Sequence, residues 1–281
     1  MATLLDRPRF ELVPLRGAEE EAAHLPPGAT ATVTCSPRRG VDQTVALAER
    51  LAERGFRAVP HLAARTIRGR SHLEELTDRL RGAGVEDVFV IGGDPPEPAG
   101  PYPAAGDVLE VLEELGRPFP QVGVAGYPER HPFIDSDDLL RILLEKQGRA
   151  TYVVTQICFD PSAIRGWLAE IRERGVILPV YVGLPGAVTR RKLLEIALRI
   201  GVGDSVRYLT KHGSLVARLM RRGSYRPDAV LAGLASMDPR RIRGLHINTF
   251  NQVRSTERWR RRTLETYRSG SQGEEDGGYA S

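Results

Sequence analysis

Several polar residues of this chain stand at the ends of short apolar runs, where side chains capable of chemistry are usually held. Glu11 lies in Phe10-Glu11-Leu12-Val13-Pro14. A lone carboxylate in so apolar a strand costs several kcal/mol unless it is paired, hydrogen-bonded or protonated. Burial of this kind raises the pKa of an acid and prepares it to donate a proton near neutral pH. The other polar ends are Thr34, His61, Gly92-Gly93-Asp94, Tyr127 with Glu129 and His131, Gln156 with Asp160, and Asn248 with Asn251. Gln156 both donates and accepts hydrogen bonds, so on an apolar strand it needs partners inside the fold. Asp94 precedes Pro95-Pro96 and also reads as a turn residue. Gly92-Gly93 permits close approach of the backbone to a ligand. Two histidines and a carboxylate raise the question of a metal, but no His-x-x-x-His spacing supports one.

The elements that carry these residues alternate. Apolar runs predict strands at Phe10–Val13, Ala31–Cys35, Ala58–Leu62, Val88–Ile91, Gln121–Ala125, Tyr152–Phe159, Leu178–Gly183 and Gly244–Phe250. Several are rich in Val and Ile and apolar on both faces, as parallel strands covered by helices are. Amphipathic stretches predict helices at Val41–Arg54, Ser71–Arg81 (with a Ser71/Glu74 capping box), around Leu109–Leu115, Asp135–Gln147, Pro161–Arg174, Thr189–Ile200, three pieces within Asp204–Ala235, and Thr256–Arg268. Eight strands alternating with helices fit a (β/α)8 TIM-type barrel with extra helices before the last strand. A doubly wound sheet would want Gly-x-Gly-x-x-Gly after an early strand, and none occurs. One domain over residues 1–268 is expected, followed by a Gly/Ser/acid-rich tail, 269–281, expected to be disordered.

Bulk properties narrow the class. The 281 residues are 41% hydrophobic and 27% charged, with net charge +4, a globular composition. No apolar run approaches the ~20 residues that span a bilayer. The first residues lack a signal-peptide pattern, so a cytoplasmic location is expected. Arginines are spread over predicted helices among Glu and Asp, which argues for solvated faces rather than nucleic acid. Two cysteines, Cys35 and Cys158, make no disulfide framework.

Taken in order, the strand ends resemble the methylenetetrahydrofolate reductase family, specifically its catalytic barrel without a regulatory domain. The pieces are Phe10-Glu11 with Pro14, Val33-Thr34, Pro60-His61-Leu62 and Gly93-Asp94-Pro95-Pro96. They continue with Ala125-Gly126-Tyr127-Pro128-Glu129 before His131-Pro132, Thr155-Gln156 with Phe159-Asp160, Leu184-Pro185, and His246 with Thr249-Phe250-Asn251. The resemblance implies reduction of 5,10-methylenetetrahydrofolate to 5-methyltetrahydrofolate by NAD(P)H through bound FAD. It implies a catalytic role for Glu11 as proton donor and for Asp94 as the carboxylate near the reacting centre. Thr34, His61, Gly92, Gly93, Asp94, Ala125, Tyr127, His131 and Asp138 match cofactor-binding positions. Gln156, Asp94 and Asn248 match substrate-binding positions. The implied partners are a small-molecule folate and NAD(P)H, with a homo-oligomer compatible and no membrane. This chain departs from the family at Gly92, where an Arg is usual, and at Arg141, Leu144 and Glu145, where Asn, Arg and Lys are common. It also carries Asn248 for Tyr, Gln252 for Arg, and Ala187-Val188-Thr189 in place of a stacking aromatic. Two alternatives follow: direct hydride transfer from NADH without flavin, and a folate- or flavin-binding barrel subunit without reductase activity.

Overall fold

The computed structural model describes residues 1–131, 134–189, 226–237 and 241–275. Eight parallel strands close into a barrel in sequence order: β1 Arg9–Leu12, β2 Thr30–Val33, β3 Arg57–Ala63, β4 Asp87–Ile91, β5 Gln121–Gly126, β6 Tyr152–Ile157, β7 Val180–Pro185 and β8 Gly244–Asn248. Every strand predicted from the sequence is present, with ends shifted by a residue or two. Closure rests on the pairing of β1 with β8, which sets Arg9 beside His246 and Glu11 beside Asn248. Parallel strands joined in succession need a crossover on each connection, and helices supply most of these. The described helices are α1 Ala2–Asp6, α2 Ala18–Ala22, α3 Gly40–Glu53, α4 Arg70–Gly82, α5 Ala105–Glu114, α6 Ser136–Lys146, α7 Pro161–Glu173, α8 Asp228–Ala235 and α9 Val253–Glu275.

Local chemistry explains several boundaries. Asp135 caps α6 by accepting the Asp137 N–H, and Asp160 caps α7 through Ser162 N–H ahead of Pro161. The expected capping box at Ser71 does not form. The helix starts one residue earlier, at Arg70, and Glu74 instead pairs with Arg70 one turn away. The short α1 was not anticipated, and α9 continues to Glu275, past the expected end at Arg268. The predicted helix at Thr189–Ile200 and the pieces at Ser205–His212 and Ser214–Arg222 lie outside the described residues, apart from Thr189 itself; the third piece is α8.

The larger core fills the space between strands and helices, with Leu12, Val33, Leu62, Val90, Val124 and Leu245 among its buried members. A smaller cluster of Val59, Phe89, Tyr152 and Val154 fills the barrel itself. Gly123 makes room for it, because a Cβ there would lie 2.3 Å from the Tyr152 ring. The lower barrel is plugged by a polar lattice. Arg9 donates to the Tyr152 hydroxyl (2.7 Å) and to Asp87 (2.9 Å), Tyr152 donates to Asp87 (2.6 Å), and the guanidinium lies over the rings of Tyr152 and Tyr181. Strand alternation then sends Arg9 and Glu11 into the same interior, one turn of the pleat apart.

Candidate active site

At the carboxyl end of β1, the backbone around Glu11 is fixed by β8 and the loop after it. The Glu11 carbonyl accepts from Thr249 N–H (3.2 Å) and from its hydroxyl (2.6 Å). Asn251 brackets the next residues, accepting the Val13 N–H and donating to the Val13 carbonyl. To do so, Phe250 and Asn251 both adopt left-handed backbone, φ 49° and 55°, a conformation asparagine tolerates better than most residues.

The Glu11 carboxylate meets three side chains. His246 Nε2 lies 2.8 Å from Oε2, and His61 Nε2 lies 3.8 Å from the same oxygen. The Asn248 amide, oriented with its nitrogen toward Glu11, donates at 2.7 Å to Oε1 and 3.1 Å to Oε2. This arrangement corrects the electrostatic expectation. Burial pushes the Glu11 pKa up, but the hydrogen bond from His246 leads the groups that outweigh it, and the carboxyl ends below its ordinary range. His61 is driven the other way by the same burial: its pKa falls to about 4, so the ring is neutral. His61 packs edge-on against Phe89, with ring centroids 4.7 Å apart.

A second group of expected residues gathers elsewhere. Gly92, Gly93, Asp94, Ala125, Tyr127 and His131 line a cavity of about 1070 Å3 that opens beside the ends of β4 and β5 and runs along α5, α6 and α7. Gly93 has φ +92°, a conformation glycine adopts without strain, and a Cβ there would approach Ala63 Cβ to 3.1 Å. Burial raises the Asp94 pKa, with His131 opposing. Burial lowers that of His131, with Asp94 opposing. Tyr127 and His131 meet edge to face at 4.9 Å between centroids.

Three further expected residues make other contacts, with Gln156 on the same face of β6 as Tyr152 and Val154. Thr34 continues the β1–β2 ladder through its N–H and accepts the Thr44 hydroxyl at its carbonyl. Gln156 is half-buried at the end of β6; its carbonyl accepts from Thr155 Oγ1 and Cys158 Sγ. Asp138 sits exposed on α6 and pairs with Arg141, which also holds Glu145. Glu129 turns out to be a clamp: it is buried, and one oxygen accepts the N–H groups of both Phe159 and Asp160 at 2.7 Å.

His246 is the residue that site selection from sequence passed over. Its signal was present, because His246 and Asn248 alternate on one strand and so share a face. A closed parallel barrel with a hydrogen-bonded carboxylate inside its mouth and a large cavity on the same rim is the architecture of a barrel enzyme. The sequence profile of methylenetetrahydrofolate reductase matches residues 23–197, and the chain belongs to that family. Similar proteins include methylenetetrahydrofolate reductase 2 of Saccharomyces cerevisiae, 25% identical over 136 residues, which are 44% of this chain and 23% of the yeast protein. A probable methylenetetrahydrofolate reductase (NADPH) of Caenorhabditis elegans is 28% identical over 120 residues, 40% of this chain and 17% of that protein. The matched segments thus span under a quarter of these relatives' lengths. Among solved structures, a Clostridium thermocellum protein described as binding two copies of 5-methyl-5,6,7,8-tetrahydrofolic acid superposes with TM-score 0.65 at 10% identity, covering 94% of this chain and 98% of that one. That likeness speaks to the fold.

Proposed function

We propose that the protein reduces 5,10-methylenetetrahydrofolate to 5-methyltetrahydrofolate with NAD(P)H. The observation that carries this reading is the Glu11 carboxylate, held inside the barrel mouth by His246 and Asn248 in a chain of this family. The substrate's one-carbon unit is bridged between two nitrogens in a five-membered ring. Protonating one nitrogen opens that ring to an iminium, which a hydride then reduces. Glu11 is the proton's route. Its Oε2 stands in hydrogen-bond contact with His246 Nε2, and this contact favours the ionised carboxylate at rest. A bound pterin shields this cluster from water, which favours the neutral acid and readies Oε for donation. On this reading Asp94, on the cavity wall, would stabilise the iminium's positive charge, and Gln156 would offer the pterin a paired donor and acceptor.

The hydride source is the finer question. The glycines, Ala125, Tyr127 and His131 give a narrow, partly aromatic rim suited to a flavin ring. The phosphate half of FAD finds no excess of cations among the described cavity residues. Among the described residues, Arg65, Arg130, Lys146 and Arg149 on the cavity wall are balanced by Asp94, Glu110, Glu145 and Glu170, which leaves no net positive charge from these side chains. Arg65 is spent on the carbonyls of Pro95, Pro96 and Pro103, and Arg149 on Glu113. Arg141 is held between two acids, and the amino end of α6 is already capped by Asp135. A resident FAD needs its diphosphate charge met in the cradle, whereas a cosubstrate that comes and goes can leave its diphosphate in water. This favours hydride passed directly from the dihydronicotinamide.

An absorbance spectrum with a turnover assay tests both levels. The expected protein is colourless and oxidises NADH or NADPH only when methylenetetrahydrofolate is present. Stoichiometric flavin bands would overturn the direct route. Folate turnover at the wild-type rate in Glu11→Gln would overturn the proton-donor assignment, since general acids typically contribute ~100- to 10,000-fold.

A further inference from the structure

We propose that Glu11, His61 and His246 form a binding site for a divalent transition-metal ion of the zinc class. One carboxylate oxygen and the Nε2 atoms of two imidazoles all lie within 4.8 Å of one another inside the barrel mouth. Zinc sits ~2.0–2.2 Å from such ligands, which sets tetrahedral ligand atoms roughly 3.3 Å apart. The two measured separations from Glu11 Oε2, 2.8 Å and 3.8 Å, straddle that value, so sub-ångström side-chain shifts seat an ion.

A second observation points the same way. His61 Nε2 is buried, faces the carboxylate, and makes no hydrogen bond. A buried polar atom without a partner is uncommon and calls for an explanation. A metal ion supplies the missing partner. The ligands stand on β1, β3 and β8, three separate strands of a closed barrel, so little ordering is left to binding. Phe89 against the His61 ring and Asn248 on the Glu11 carboxylate fix the orientation of two ligands from behind. The contrast with His72 is instructive. Its Nε2 meets Asp42 and its Nδ1 accepts the Arg68 N–H, so both ring nitrogens are occupied.

Three protein ligands leave a coordination position open toward the barrel mouth, as in catalytic rather than structural zinc sites. The ion takes the Glu11 oxygen that proton donation would use, so metal binding and proton donation exclude each other. On the folate reading given above, the ion is therefore an inhibitor. The binding itself does not rest on that reading.

The test uses tag-free, chelator-stripped full-length protein titrated with Co2+ by visible absorption and with Zn2+ by calorimetry. The expected result is one equivalent of Co2+ with the d–d bands of a low-coordinate site, displaced by Zn2+. His61→Gln, His246→Gln and the near-isosteric Glu11→Gln should each weaken binding at least ~100-fold, since outer-shell changes alone cost ~10- to 100-fold. Cys35→Ser should leave it intact. Absence of stoichiometric binding by the wild-type protein overturns the proposal, whatever the variants do. So does binding that survives all three ligand substitutions. Folate and NADH are absent from these titrations. Metal binding in a protein without folate turnover therefore supports this site while removing the reductase reading, and turnover in a protein that binds no metal does the reverse.

Discussion

Replacing Arg9 by Met should unfold the barrel more readily than any surface change. Arg9 is 7% exposed and shares Asp87 with Tyr152 at the base of the barrel. Burial already holds the Asp87 carboxyl above its ordinary range, with Arg9 pulling it back. Without the guanidinium, Asp87 keeps the Tyr152 hydroxyl and the charge of Arg57, and breaking a buried pair from one side costs ~3–5 kcal/mol. The Asp87 side chain retains 17% exposure, so water recovers part of this. Methionine replaces some of the guanidinium's contact with the two tyrosine rings. The lower end, about 3 kcal/mol, is therefore expected. Urea denaturation of wild type, Arg9→Met, Asp87→Leu and the double variant measures it. The double variant should regain most of the loss, because an apolar pair leaves no orphaned charge. A loss under ~1 kcal/mol in Arg9→Met would refute the reasoning, because a buried pair broken from one side should cost far more. So would a double variant as unstable as the sum of the singles.

Three further outcomes are expected. Acid should destabilise the fold through His61: its pKa drops from 6.5 unfolded to about 4 folded, so the unfolded chain takes up the proton first. Stability is full above pH 6.5 and falls as pH drops toward 4, by about 3 kcal/mol. Glu11, also lowered, adds a loss below its ordinary pKa of 4.5. Urea midpoints between pH 7 and 4.5 check this, and His61→Gln should flatten the curve. Gly93→Ala should cost ~1–2 kcal/mol from its left-handed backbone and narrow the cavity rim against Ala63, read as a lower melting temperature and weaker NADH binding. Glu129→Gln, which weakens a charged acceptor of two amides, should cost ~1–3 kcal/mol and speed hydrogen exchange at Phe159 and Asp160.

The strands were legible because a parallel barrel buries both faces of each, and Val and Ile runs bounded by Gly and Pro announce that. The register of closure was not: the setting of Glu11 beside Asn248 depends on how β1 meets β8, more than 230 residues away. For the same reason the burial of Glu11 was visible in its neighbours, but the direction of its pKa was not. The groups that reverse it come from β3 and β8. Ser71 failed as a cap because a Ser-x-x-Glu pattern does not reveal where the helix starts, and Gly69 let it begin a residue early. Asp138 is matched through the family resemblance, and in the structure its carboxylate pairs with Arg141, three residues on, at an exposed position of α6.

The Glu129 clamp has a mechanical consequence. It ties the turn that carries Tyr127 and His131 to the chain between Gln156 and the start of α7, across the gap between β5 and β6. The two segments are therefore held in register by a side chain as well as by the β5–β6 ladder. Glu129→Gln should loosen the start of α7 relative to the Tyr127 turn while leaving the strand pairing below it intact.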